Sequence, residues 1–321
     1  MRLYILSRSE TIPSTKRLVE VAKARGHKAR VLDPLKVEIA LDGNAGQIFY
    51  KRQKLAACDV VIPRIAQSVN VYGLAVLNQF ANAGVALMND ANGIGQARNK
   101  MRALQLLSAS GIAVPATVLA RDPKDIKAMV NLVGGVPVVV KLLQGQEKTG
   151  VMVCETLQSL EAALEAVLGL GHQIIVQQYV KKTGQDLRVF VVGGRALAAV
   201  RRIPRPGRLA HTLLRGARLE KTTLTEAQRR AAVEATRLMG LEVAAVDLLD
   251  VRGTPKVFEV NASPAIAPME AATGVDLATP IIERAEALVA QRGKGGSRRR
   301  SGSASKVVAS ARTDRAPANG R

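Results

Sequence analysis

Residues 256–266 read KVFEVNASPAI and place two oxygen-bearing side chains in an apolar strand pattern. Glu259 and Asn261 are two positions apart, and side chains two apart on a strand point to the same face. One interpretation is a solvated edge strand, in which the polar face meets water and the valines cover the core. The other is a magnesium site, because carboxylate and amide oxygens are ligands that magnesium accepts.

A further carboxylate lies upstream in the strand pattern AAVDLLD, where the neighbours of Asp247 are apolar. This strand and the stretch 256–266 are joined by a turn at residues 251–255, which predicts a hairpin. Across such a pair, Asp247 can face Glu259 and Asn261. Three convergent oxygen donors suit magnesium, with nucleotide phosphates completing its shell. The alternative is an isolated buried acid beside an arginine.

Lys141 ends the apolar run VPVVVK, and the loop that follows has glycines at positions 145 and 150. A lysine at the end of a buried strand needs an anionic partner, because an unpaired buried charge is costly. The loop could fold over phosphates with its backbone N–H groups. The alternatives are a lysine that extends to the surface and a plain hairpin turn.

Two more groups of polar side chains follow along the chain. The strand pattern IIVQQYVKK becomes polar at Gln177, Gln178 and Tyr179, which offers groups suited to an adenine edge or simply ends the strand. Asp186 and Arg188 share one face of the next strand pattern. Such a pair is usually a surface ion pair, although in a cleft it could hold ribose hydroxyls and a substrate carboxylate.

The elements around these residues begin with an alternating pattern. Strand patterns at 2–6, 28–34, 59–65 and 85–90 enclose helix patterns at 15–26 and 72–84. Such alternation predicts a parallel sheet covered by helices. No Gly-x-Gly-x-x-Gly follows the first strand, so a dinucleotide fingerprint is absent.

The remainder of the chain predicts a mixed α+β arrangement. We expect one long helix over 91–111, shorter helices over 123–134 and 157–171, and mainly strands from residue 173. A helix over 225–240 precedes the hairpin, and a last helix ends near residue 293. Residues 293–321 are rich in Gly, Ser and Arg and poor in apolar residues, which predicts a disordered basic tail.

Composition limits the class of protein. The 321 residues carry a net charge of +21, of which +7 lies in residues 293–321, so the body is strongly basic by itself. That balance favours an anionic partner such as a nucleotide, an acidic peptide or RNA. No apolar run approaches a membrane span, the three histidines lack zinc spacing, and the two cysteines fit buried thiols. We therefore expect a cytoplasmic protein.

The order of these motifs resembles the ATP-grasp ligases, and within them the RimK-type L-glutamate ligases. The resemblance covers about residues 1–290 and rests on the segments ILSR, KRLVEVAKARGH, VLDPL, VIPRI, YGLAVLNQF, NKMRALQLLSASGI, LVGG, VVVKL and EVNASP. It implies a Rossmann-like parallel-sheet domain (1–93) followed by a two-subdomain ATP-grasp fold. The subdomains would span 94–176 and 177–292, with the tail at 293–321.

The resemblance also implies roles for individual residues. ATP would be bound by Lys100, Lys141, Gln178, Tyr179 and Asp186. Two Mg²⁺ or Mn²⁺ ions would be bound by Asp247, Glu259 and Asn261, and catalysis would involve Arg188 and Arg215. The sequence departs from the family at residues 210–212, which read Ala-His-Thr instead of Arg-Ser-Asn. It also departs at Gln178, usually Glu, and at Ala265, usually Gly.

The implied activity is ATP-dependent addition of L-glutamate to a C-terminal carboxylate through an acyl phosphate, with a small-subunit ribosomal protein as acceptor. A homo-oligomer, a tetramer in such families, and a ribosome or RNA contact by the basic tail are further implications. Two alternatives stay open. The same fold could use another amino acid or acceptor, such as free poly-glutamate, a carrier protein or a small molecule. The chain could instead be an inactive ATP-grasp protein that binds RNA or the ribosome.

Overall fold

The computed structural model describes residues 1–43, 46–120, 126–143, 151–171, 173–180, 186–203 and 217–300. The first part of this chain contains the strands β1 (Arg2–Leu6), β2 (Lys28–Leu32), β3 (Val37–Ala40), β4 (Gln47–Tyr50), β5 (Gln53–Lys54), β6 (Val60–Pro63) and β7 (Ala86–Leu87). Strands β2-β1-β6-β7 form a parallel sheet in that order. Helices α1 (Pro13–Ala24) and α2 (Asn70–Asn82) connect its strands. The predicted parallel, helix-connected sheet is confirmed, whereas the small antiparallel sheet β3-β4-β5 was not predicted.

The single helix predicted over 91–111 is wrong, because the chain forms two helices that meet at Asn99. Helix α3 spans Ala91–Arg98 and helix α4 spans Lys100–Ala109. Asn99 has an extended backbone, and its side chain accepts a 3.0 Å hydrogen bond from the Arg102 N–H. Asparagine is a favoured N-cap because its side chain satisfies an N–H that lacks a partner in the first turn. The break places Lys100 at the first position of α4.

The second sheet is antiparallel, in the order β10-β9-β11-β8. Its strands are β8 (Thr117–Ala120), β9 (Val138–Leu142), β10 (Val151–Cys154) and β11 (Ile174–Gln178), and its helices are α5 (Ile126–Leu132) and α6 (Leu157–Gly169). Side chains alternate between its two faces. Val138 and Val140 lie in a buried cluster with residues of α5 and α6. Lys141 therefore points to the opposite face, which explains a lysine in an apolar run.

The third sheet is antiparallel and has the described order β14-β13-β12-β15-β16. Its strands are β12 (Asp186–Val192), β13 (Arg195–Ile203), β14 (Arg218–Lys221), β15 (Val243–Val251) and β16 (Thr254–Asn261). The predicted hairpin β15–β16 is confirmed. Its connection is tighter than the predicted five-residue turn, because Arg252 and Gly253 both adopt positive φ (53° and 83°), as a two-residue hairpin turn requires.

Three helices complete the described chain: α7 (Glu226–Leu238), α8 (Ala267–Thr273) and α9 (Ala278–Arg300). Helix α9 runs past residue 293, where disorder was predicted. Extending an existing helix costs less than nucleating one, and the earlier turns of α9 supply the nucleus. The predicted tail from residue 301 onward lies outside the described residues.

Two buried clusters join the parallel sheet to the third sheet. In one of them, Leu3 and Ile5 of β1 pack with Phe190 of β12 and with Ile281 and Ile282 of α9. This packing covers one end of the face of the third sheet that carries Phe190. The other end of the same face carries polar residues, among them Arg188 and Asp247. Over the described range, no helix is long and apolar enough to cross a membrane.

Candidate active site

The second and third sheets meet where Lys141, on β9, approaches β16. Its ammonium nitrogen lies 5.2 Å from the centre of the Phe258 ring. Lys256 Nζ donates a 3.1 Å hydrogen bond to Gln178 Oε1 at the end of β11, and the Val257 N–H donates to the Ala113 carbonyl at 2.8 Å. These contacts bring the polar side chains of both sheets to one region, which we call the candidate site.

The hairpin places its three oxygen-bearing side chains on one face. Asp247 and Glu259 are directly paired across β15 and β16, and Asn261 pairs with Ala245, two positions along the same face. Asp247 is fully buried, and the Asn261 side-chain oxygen accepts a 2.8 Å hydrogen bond from the Ser263 N–H. The structure therefore confirms the prediction that Asp247, Glu259 and Asn261 share one face of the hairpin.

Two arginines bind the Asp247 carboxylate. Arg188, opposite Asp247 on β12, donates one hydrogen bond to each carboxylate oxygen, both 2.8 Å long. Arg202 on β13 donates a 2.9 Å hydrogen bond to Asp247 Oδ2 and also binds both oxygens of Asp186. Asp186 and Arg188 share a face as predicted, but each pairs with a residue on a neighbouring strand. The result is a four-residue network of two carboxylates and two guanidinium groups.

Two opposing effects, burial and the charges of neighbouring groups, set the pKa values in this network. Burial by itself would raise the pKa of Asp247, but Arg188 and Arg202 outweigh burial and lower it. Burial raises the pKa of Asp186 against the opposing charge of Arg202. Of the two carboxylates, Asp247 is therefore the one more strongly held in its ionised form, because two guanidinium groups bind it. For Arg202, the two carboxylates outweigh burial and raise its pKa.

Lys141 is also bound in the candidate site. It donates a 2.7 Å hydrogen bond to the side-chain oxygen of Gln177, which is buried. Burial lowers the pKa of Lys141 to about 8, and the charges of Glu259 and Asp247 oppose that effect. Lys141 is thus an ammonium group held between the two sheets, and the negative charges of Glu259 and Asp247 act on it.

The remaining predicted nucleotide residues lie around the same region. Lys100, at the start of α4, donates a 3.1 Å hydrogen bond to the Leu142 carbonyl next to Lys141. Gln178 is half-buried at the end of β11, and Tyr179 follows it, also half-buried. Arg215, the variant segment 210–212 and the loop 144–150 lie outside the described residues.

Three residues of the candidate site were not predicted as site residues: Arg202, Gln177 and Lys256. Arg202 shares a face of β13 with Ala198 and Val200, which are buried, and this alternation was visible in the stretch RALAAVRRI. Gln177 was considered only within the polar stretch 177–179, as part of an adenine edge or a strand end, and not as a partner of Lys141. No sequence signal distinguishes Lys256 from other surface lysines, because its partner Gln178 is 78 positions away.

The oxygen donors fit a magnesium ion. Asp247 Oδ1 accepts one hydrogen bond from the described residues, and a carboxylate oxygen has two lone pairs. Asn261 Oδ1 likewise accepts one hydrogen bond. Within the described ranges, no three His, Cys, Asp or Glu side chains are grouped as a metal would need. A hard cation here would therefore need the Asn261 amide and oxygens from a bound phosphate or water, as magnesium commonly does.

Solved structures with the same arrangement of sheets are ATP-grasp ligases. The ATP-grasp ligase PsnB in complex with a precursor variant, Mg and ADP has a TM-score of 0.71 at 21% identity, over 89% of this chain and 98% of that one. D-alanine–D-alanine ligase from Bacillus anthracis with ATP has a TM-score of 0.67 at 17% identity, over 92% and 100%. The fold is therefore that of the ATP-grasp ligases, which confirms the predicted fold class.

Sequence comparison narrows this class. The RimK PreATP-grasp domain matches residues 1–94 and the RimK-like ATP-grasp domain matches residues 97–285. A Vibrio cholerae protein named "Probable alpha-L-glutamate ligase" is 44% identical over 92% of this chain and all of its own length. A Pseudomonas aeruginosa protein of the same name is 43% identical over 89% and 95%. The chain belongs to the RimK family and is an ATP-dependent carboxylate–amine ligase.

Proposed function

We propose that this ligase adds L-glutamate to the C-terminal carboxylate of an acidic protein substrate, with a small-subunit ribosomal protein as the acceptor. The observation that carries the proposal is the pairing of Asp247 with Glu259 on one hairpin, next to the Asp247–Arg188 contact. This pairing provides hard oxygen donors beside fixed positive charge, which is what transfer of a phosphoryl group to a carboxylate requires. The name shared by the bacterial relatives supports glutamate as the amino acid.

We assign the nucleotide to the region where the second and third sheets meet. Lys100 and Lys141 would neutralise the phosphates, Gln178 and Tyr179 would bind the adenine edge, and Asp186 would contact the nucleotide. Asp247, Glu259 and Asn261 would hold two Mg²⁺ or Mn²⁺ ions. When bound, such ions neutralise phosphate charge and orient the transferred group.

The reaction would have two steps. An oxygen of the acceptor's C-terminal carboxylate attacks the γ-phosphorus of ATP, which forms an acyl phosphate and releases ADP. The α-amine of glutamate then attacks the acyl carbon, inorganic phosphate leaves with the bonding electron pair, and the amine loses a proton. The protein's part is positioning and charge neutralisation, for which we assign Arg188 and Arg215. No nucleophilic side chain is needed.

Charge supports an acidic acceptor. Lys and Arg exceed Asp and Glu by 14 in residues 1–292, so a peptide rich in carboxylates is attracted to the body of the protein. We keep the cytoplasmic location, the homo-oligomer, the ribosome or RNA contact of the tail and the domain boundaries as predictions.

The test is to incubate the protein with ATP, magnesium and glutamate, with and without the ribosomal protein, and to follow the acceptor by intact mass. We expect a ladder of glutamyl increments that is lost in Asp247→Asn. The matched control is Asp250→Asn, the same change on the same strand, where the carboxylate binds Gln228 and the Gly253 N–H instead. ADP release without a ladder would reject this acceptor, and repetition with other amino acids and acceptors would identify the pair. Absence of both, together with salt-dependent RNA binding, would favour the inactive binder.

A further inference from the structure

Gln177 lies near the end of β11, on the face of the second sheet that also carries Lys141. Gln177 pairs with Val139 of β9 and with Thr117 of β8, and Lys141 pairs with Ile175. Lys141 and Gln177 are thus diagonal neighbours on one face, a separation that long side chains span. That face is turned away from the buried cluster formed with α5 and α6. The Gln177 amide therefore lies on the side of the sheet that meets the nucleotide region.

The hydrogen bonds of the Gln177 amide have only one consistent direction. A lysine ammonium can only donate, so the amide oxygen must face Lys141 at 2.7 Å. The amide nitrogen then donates to Thr117 Oγ1 at 2.8 Å, and the Thr117 hydroxyl donates to the Pro115 carbonyl at 2.8 Å. Because the hydroxyl hydrogen is used on Pro115, Thr117 can only accept from Gln177. The chain of bonds starts at a backbone carbonyl and ends at the lysine.

We propose that Gln177, oriented by Thr117, is a positioning residue that holds the Lys141 ammonium in one place for a nucleotide phosphate. The inference rests on the phosphate-binding role proposed for Lys141. It adds that Lys141 acts through a buried neutral partner, which fixes the direction of its long side chain. A lysine side chain otherwise has large rotamer entropy, and restricting it before binding lowers the cost of forming the phosphate contact.

The amide is chemically better suited to this role than a carboxylate. An amide oxygen accepts one of the three ammonium hydrogens and leaves the positive charge and two donors for a phosphate. A carboxylate at the same place would neutralise Lys141 and compete with the phosphate.

The test compares ATP binding with adenosine binding in four variants. Gln177→Met removes both amide contacts, Gln177→Glu keeps the shape and adds a charge, Thr117→Val removes the orienting hydroxyl, and Lys141→Met marks the full loss. Loss of a hydrogen bond to a charged group predicts roughly tenfold or more weaker ATP binding for Gln177→Met. Gln177→Glu should also weaken ATP binding, because its carboxylate competes with the phosphate for Lys141. We expect adenosine, which lacks phosphates, to bind as in the wild type. Thr117→Val should have a smaller effect in the same direction.

The double variant Gln177→Met with Lys141→Met tests whether Gln177 acts through Lys141, separately from the phosphate-binding role proposed for Lys141. If Gln177 acts through Lys141, ATP binding in the double variant should equal that of Lys141→Met alone. Weaker ATP binding in Lys141→Met but wild-type binding in both Gln177 variants would overturn the positioning role alone. Equal losses for ATP and adenosine would also overturn it, because they indicate structural damage. Unchanged ATP binding in Lys141→Met would overturn both the phosphate-binding role of Lys141 and the positioning role of Gln177. Should Gln177→Met not fold, Thr117→Val decides the outcome, because it removes only the group that orients the amide. Wild-type ATP binding in Thr117→Val would then overturn the positioning role.

Discussion

Arg188 donates one hydrogen bond to each oxygen of Asp247, both 2.8 Å long, across the neighbouring strands β12 and β15. The side chain of Asp247 is fully buried, and that of Arg188 is 21% exposed. Such a two-bond contact between a guanidinium and a carboxylate fixes the orientation of both groups. The orientation of a proposed metal ligand is therefore set by the sheet before any substrate binds.

Replacing Asp247 with Asn should destabilise the fold as well as abolish ligation. The neutral amide would leave the buried positive charges of Arg188 and Arg202 with a weaker partner, and breaking a buried pair costs about 3 kcal/mol or more. Urea denaturation at neutral pH measures this loss. Asp250→Asn is the control, because Asp250 is half-buried near the turn end of the same strand, and we expect a change in stability of less than about 1 kcal/mol. Equal effects of both substitutions would refute the importance of the network.

Arg202 should be irreplaceable by lysine, because it binds two carboxylates at once. Its side chain is only 5% exposed and contacts Asp186 and Asp247. Lysine has a single ammonium in place of a planar fork, so Arg202→Lys should retain only part of the stability, and Arg202→Met should lose about 3 kcal/mol or more. Chemical denaturation gives the ranking.

The control for Arg202 is its neighbour Arg201, which is exposed on the opposite face of β13. Arg201→Met should leave the free energy of unfolding nearly unchanged. A similar loss of stability in Arg201→Met and Arg202→Met would mean that strand β13 is sensitive to any substitution. The contacts of Arg202 with Asp186 and Asp247 would then not explain the result.

Asn89 should be essential for joining the parallel sheet to the hairpin. It is buried, its amide nitrogen donates to the Val243 and Ala262 carbonyls, and its oxygen accepts from the N–H groups of Glu242 and Val243. Asn89→Ala would leave these four backbone groups unpaired, which predicts a loss of about 2–4 kcal/mol.

Thermal or chemical unfolding of Asn89→Ala measures the effect. Asn82→Ala is the matched control, because Asn82 is exposed at the end of α2 and should shift stability only slightly. Since Ala262 directly follows the proposed ligand Asn261, we also expect weaker magnesium-dependent ADP binding in Asn89→Ala. Unchanged stability in this variant would show that solvent or other groups replace the four bonds.

The contact between α9 and the turn that joins α1 to β2 should make stability depend on pH in the acid range. Arg25 and His27 bind Glu286, and the hydrogen bond from Arg25 is the main reason that the pKa of Glu286 falls from 4.5 to about 2. A depressed carboxyl pKa stabilises the folded state above about 4.5 and loses that effect as the pH falls towards 2. Solvent screening keeps the contribution modest.

Unfolding free energies at pH 7 and pH 3 measure this dependence. Glu286→Gln should show a smaller decrease between the two pH values than the wild type. Glu283→Gln serves as the control, because Glu283 contacts Arg25 at 3.4 Å through a single bond and should retain the wild-type difference. A wild-type decrease in Glu286→Gln would assign the acid sensitivity to other carboxyl groups.

Periodicity in the sequence determined which side chains share a face. Two-residue alternation puts Glu259 and Asn261 together, and the turn between two apolar runs sets Asp247 against them, since a hairpin's register depends on local chain length and turn geometry. Strands alternating with helices likewise required the parallel sheet at the amino terminus. The motifs that resemble the RimK-type ligases added the family, which the comparisons confirmed. The roles assigned to individual residues of the site all stay predictions.

Only the tertiary structure decided which partners these side chains have. Arg202 meets Asp247 across 45 positions, and Lys141 meets Gln177 across 36. Such pairs depend on the order of strands in a sheet, which no local pattern encodes. The break at Asn99, by contrast, is accompanied by a local cap, since the Asn99 side chain accepts from the N–H of Arg102 three residues along. The contact from Lys100 to the Leu142 carbonyl forms only when two distant elements pack. Local propensity acts over a few residues, whereas the partners of a buried charge are set by packing between elements.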